Sequence, residues 1–119
     1  MNQKGEDVGN LKINSMVNMG ICYRNLRAID KAIAVYQRVH DLDPKEEAGM
    51  FNLAICLLNS IEEKQSQRFN KVCEQRAKKA EELFNTTLSR NPNNFMAKLS
   101  LIKLKYLLDN SEKSLREGI

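Results

Sequence analysis

The chain is predicted to be all-α, and three features of its 119 residues say so. A spaced pattern of small and bulky side chains occurs twice. Its two prolines stand at equivalent points of that pattern, each just past a stretch of helical periodicity. Five glycines and two prolines are also too few for a β-rich or disordered chain. The first copy of the pattern runs through Met16, Met19, Gly20, Tyr23, Ala32, Tyr36 and Pro44. The second runs through Met50, Leu53, Ala54, Leu57, Ala80, Phe84 and Pro92. The first four positions of the two copies are offset by 34 residues, a period typical of repeated helix pairs.

Residues 1–10 contain Gly5 and Gly9 and little to bury, which predicts a flexible lead ahead of a repeat domain over 11–108. The first helix is expected over 11–26. Ile13, Met16, Val17, Met19, Gly20, Ile21 and Tyr23 make it apolar on more than one side, as in a helix packed on both faces. The second is expected over 27–43, with Ile29, Ala32, Ile33, Tyr36 and Val39 on one face. Pro44 ends it, since proline cannot continue a helix and disfavours helix at the residue before it. A third helix follows over 46–59. The period then slips, because Pro44 and Pro92 lie 48 residues apart. The 14 additional residues fall between Leu57 and Ala80. The stretch 60–75 is rich in good helix formers and free of Gly and Pro. It predicts a lengthened fourth helix, starting between Ile61 and Arg68 and running to Arg90. The alternative is a loop followed by a helix of ordinary length. After the turn at Asn91, Pro92, Asn93 and Asn94, a fifth helix is expected over 95–108. A terminal helix of this kind is expected to turn a polar face outward, as a cap does. Residues 109–119 are charged and read as a frayed tail.

The recurring residues have packing roles. Gly20 and Ala54 are small enough for a neighbouring helix to reach the backbone, and Ala32 and Ala80 do the same on the second helices. Tyr36 and Phe84 supply the ring that fills the space between repeats. In this spacing the chain resembles the tetratricopeptide repeat family, with about two and a half repeats and the insertion in the second. The resemblance covers residues 13–94 well and 95–108 poorly. It implies a right-handed α-solenoid of antiparallel helix pairs, about five helices in all. It implies a concave groove lined by the first helix of each pair. Carried across by register, the groove residues are Asn14, Val17, Asn18, Ile21 and Arg24, then Ala48, Phe51, Asn52, Ile55 and Leu58, then Met96, Leu99, Ser100, Lys103 and Tyr106. Asn18 and Asn52 coincide in register and resemble an asparagine ladder that holds an extended peptide backbone, since an amide offers both donor and acceptor. The family's carboxylate clamp for chaperone tails does not carry over. Its five places hold Val17, Ile21, Asn52, Met96 and Ser100, which leaves no cation for a carboxylate. The apolar groove suits an amphipathic helix or apolar peptide.

The implied function is a non-catalytic protein-interaction module within a larger assembly. The competing reading is a structural element that self-assembles through repeat ends or the long fourth helix. The net charge of +4 is spread among interleaved acids and does not form the one-sided patch that nucleic acid requires. Cys22, Cys56 and Cys73 have no metal or disulfide spacing, so no cofactor or metal is expected. Cys22 and Cys56 occupy equivalent places and read as small buried hydrophobes. Reduced thiols and the lack of a leader pattern fit a cytoplasmic or nuclear, non-secreted protein. No segment reads as spanning a membrane. His40, the single histidine, reads as a helix-terminal side chain helping to satisfy carbonyls or facing solvent.

Overall fold

Helix formers dominate between the two prolines and beyond them, and the chain folds accordingly. In a computed structural model the backbone is described for residues 2–63 and 71–116, and side chains for 12–63 and 71–109. Five α-helices are present and no strand occurs among the described residues: α1 Asn2–Asn25, α2 Ile29–Leu42, α3 Glu47–Glu63, α4 Lys71–Arg90 and α5 Phe95–Arg116. The chain divides into two compact units, Met1–Leu53 and Ala54–Ile119.

In the first unit, α1 and α2 form an antiparallel hairpin. Lys31 lies 5.8 Å from the centre of the Tyr23 ring, near the connection. Further from it, the Tyr36 hydroxyl lies 3.4 Å from the Val17 carbonyl. Contacts therefore move back along α1 as they move forward along α2, which defines the antiparallel sense. Between them, Gly20 sits against the ring of Tyr36. A Cβ built on Gly20 would lie 2.5 Å from Tyr36 Cζ. The ring assigned from sequence to the space between repeats thus makes this contact inside one helix pair.

The connection closes on a Schellman-type end to α1. The Ala28 N–H donates to the Tyr23 carbonyl at 2.8 Å and the Arg27 N–H to the Arg24 carbonyl at 3.0 Å. Arg27 takes φ of 63°, a left-handed conformation that usually belongs to glycine. Gly49 makes a second close approach, since a Cβ there would meet Val39 Cγ1 at 2.7 Å. The buried side chains of this unit include Ile29, Ala32, Tyr36, Val39, Met50 and Leu53.

The second unit buries Ala54, Cys56, Leu57, Leu58 and Ile61 along the rest of α3. On α4, Cys73, Ala77, Ala80, Phe84 and Thr87 make one stripe at helical spacing. On α5 the buried positions are Ala97, Ser100, Leu104 and Leu107, and α5 packs on α4. Buried hydroxyls are satisfied locally: Ser60 donates to the Leu57 carbonyl at 2.7 Å and Thr87 to the Leu83 carbonyl at 2.8 Å.

The two proline turns are the same structure. Around Pro44, the Asp43 N–H donates to Val39 O, Glu46 N–H to Asp43 O, and Met50 N–H to Glu46 O. Around Pro92, the Asn91 N–H donates to Thr87 O, Asn94 N–H to Asn91 O, and Lys98 N–H to Asn94 O. Each bond of the second set is the first set moved along the chain by the interval between the prolines. The short polar side chains join in. Asp43 Oδ1 accepts from the Lys45 N–H at 3.2 Å, and Asn94 Oδ1 caps α5 by accepting from the Ala97 N–H at 3.1 Å.

Several expectations change. The first helix starts at Asn2 instead of residue 11, so the backbone expected as a lead is helical. Gln3, Lys4, Glu6 and Asp7 are compatible with helix, and two glycines disfavour it by only about 1 kcal/mol each. The last helix continues past 108 to Arg116, through Glu112, Lys113 and Leu115. Ile61 belongs to a lengthened third helix, not to the fourth, which is described from Lys71. The choice between helix and loop falls on 64–70, outside the described residues. The helix covered on several sides is α3 and not α1, where Met19 and Ile21 are exposed. For the same reason Cys56 is buried while its counterpart Cys22 is exposed.

Candidate functional site

Side-chain exposure on a helix is set by which side its neighbour covers. On α1, the side of Gly20 is covered by Tyr36. Asn14, Asn18 and Ile21 follow one another at i, i+4 and i+7 and share a face turned away from that ring. All three are exposed, while Val17 and Arg24 at its edge are half-buried. Phe51 and Asn52, on the part of α3 that belongs to the same unit, are also half-buried.

The groove positions expected in the second unit divide differently. Ile55 and Leu58 lie in the core, because α3 is buried on successive positions through Leu58. Leu99 and Lys103 are exposed on α5. Lys103 is engaged, with its Nζ 2.7 Å from Glu62 Oε2 on α3. The pair is partly solvated, so its contribution to stability is of the order of 0.5 kcal/mol.

On α5, Leu99 and Tyr106, both groove positions by register, belong to an exposed row that Phe95 and Ile102 complete. Phe95, Leu99, Ile102 and Tyr106 are 70%, 50%, 66% and 65% exposed. They are spaced four, three and four residues apart, which puts them on one side of the helix. The buried row Ala97, Ser100, Leu104 and Leu107 occupies the other side. The outward face of α5 is therefore apolar, contrary to the polar cap expected. Ile102 stands where the earlier copies carry Gly20 and Ala54. Those two are buried, whereas the larger residue here is mostly exposed.

His40 lies half-buried in the last turn of α2, and its Nδ1 is buried without a hydrogen-bond partner. Among the described residues, no cluster of three or more His, Cys, Asp or Glu is arranged to hold a metal. No described helix is long and apolar enough to cross a membrane.

The class the fold defines is an all-helical chain with five described helices and a turn that occurs twice. No family model, curated protein or solved structure matches it.

Proposed function

We propose that this chain is a non-catalytic interaction module of the tetratricopeptide type, a right-handed solenoid of helix pairs that holds a peptide or helix of another protein. The observation that carries the reading is the exposed α1 face bearing Asn14, Asn18 and Ile21. It combines amides, which can pair with main chain of any sequence, with an aliphatic side chain that can cover an apolar one. The repeated proline turn supports the solenoid, since identical exits are what stacked helix pairs need. Three cysteines without disulfide or metal spacing suit a reducing compartment, cytoplasmic or nuclear.

The test is selection from a displayed peptide library, followed by titration of an enriched peptide against the wild-type chain and an Asn18→Ala/Asn52→Ala variant. Enrichment of apolar peptides whose binding weakens about ten-fold or more in the variant is the expected result. Failure to enrich any peptide over a scrambled control, or equal binding by the variant, would overturn the reading.

A further inference from the structure

We propose that the outer face of α5 docks a single amphipathic helix of another protein, one whose apolar stripe is edged by Asp and Glu. The inference rests on the reading of the chain as an interaction module and supplies the surface and the chemistry of the partner. Four large apolar side chains stand in one exposed row, Phe95, Leu99, Ile102 and Tyr106. Single exposed apolar residues are ordinary, but a contiguous row marks a contact surface. Their four-three-four spacing is that of alternating a and d positions of a heptad, so the element that fits is another helix laid alongside.

Charge selects which helix. Lys98 and Lys105 are exposed along one edge of the row, at heptad g positions, and Lys103 is exposed along the other, at an e position. The only described acid on the outer face is Asp109, which lies beyond Tyr106 at the end of the row. Glu62 approaches from α3 and pairs with Lys103, leaving the Lys98 and Lys105 edge cationic. A second copy of α5 would set lysine against lysine whether it ran parallel or antiparallel. A helix with carboxylates at its own e and g positions would meet opposite charge on that edge.

The probe is a three-heptad synthetic peptide with Leu at a and d and Glu at e and g, compared with the same peptide carrying Lys at e and g. Binding to the full chain is read by fluorescence anisotropy. The acidic peptide is expected to bind and the basic one not to, with affinity falling as salt is raised. Leu99→Glu and Ile102→Glu, both at exposed sites, are each expected to weaken binding about ten-fold or more. The Lys98→Glu/Lys105→Glu variant is expected to shift preference toward the basic peptide. Equal binding of both peptides, absence of binding, or binding indifferent to these variants would overturn the proposal. So would concentration-dependent self-association abolished by Ile102→Glu, which would make a second copy the occupant. Binding lost in Asn18→Ala/Asn52→Ala but retained in the α5 variants would sink this inference and leave the interaction-module reading standing.

Discussion

Replacing Gly20 with alanine isolates the contact on which the first hairpin closes. At an open helical position this change stabilises by about 1 kcal/mol, because glycine is the poorer helix former. Here the added methyl would fall 2.5 Å from Tyr36 Cζ and 2.8 Å from both Cε atoms. A carbon pair needs about 3.5 Å or more, so the ring must retreat by roughly 1 Å. Tyr36 is fully buried and its ring is stiff, so that movement disturbs the packing around it. Overpacking of this kind typically costs about 1–3 kcal/mol. Subtracting the helix-propensity gain leaves a net loss of about 1 kcal/mol. In urea unfolding followed by far-UV circular dichroism, that is a midpoint lower by about 0.5 M at an m-value near 2 kcal/mol per M. In a Tyr36→Leu background the obstruction is gone, and Gly20→Ala should change sign and stabilise. A midpoint that rises for Gly20→Ala in the wild-type background would refute the reasoning, since it would mean the ring does not rest on the glycine.

Arg27→Gly should stabilise by about 0.5–1 kcal/mol in the same assay, because it relieves a left-handed residue by more than glycine adds to unfolded-state freedom. A loss of stability there would show that the Arg27 side chain contributes more than its backbone strain removes. Asn94→Ala should cost about 1 kcal/mol by deleting the cap of α5, and hydrogen exchange at Ala97 should quicken. Tyr36→Phe should cost less than about 0.5 kcal/mol, since a hydroxyl 3.4 Å from the Val17 carbonyl makes a weak bond. A cost several times larger would give the hydroxyl, and not the ring, the structural role.

Much of the helix pattern was legible because it rests on local chemistry. Proline and the Asx residues beside it fix a turn through their own backbone and side-chain bonds, so Pro44 and Pro92 marked helix ends closely. Gly20 was legible for a related reason, since a glycine in the middle of an apolar helix implies close approach. The limits of α1 and α5 were not legible. Helix propensity in the segments 2–10 and 109–116 is moderate, and no proline or cap marks a boundary there. Nor could spacing show that α3 would absorb residues 60–63, because good helix formers extend either neighbouring helix equally well.

The candidate surfaces divide along the same line. Asn14, Asn18 and Ile21 could be placed on one face from periodicity alone, and exposure follows once Gly20 fixes the opposite orientation. Ile55 and Leu58 could not be separated from them, because register gives the direction of a side chain and not what covers it. The α5 row shows the harder case. A helix with apolar residues at 95, 99, 102 and 106 and again at 97, 101, 104 and 107 has two stripes on roughly opposite sides. Summed around the helix they weaken each other's periodic signal, so the segment reads as poorly amphipathic even though each stripe is regular. The lysines do not break the tie, because Lys98, Lys103 and Lys105 lie between the two stripes and edge both. Only burial separates them, since Ala97, Leu104 and Leu107 are covered within the unit while Phe95, Leu99, Ile102 and Tyr106 are exposed.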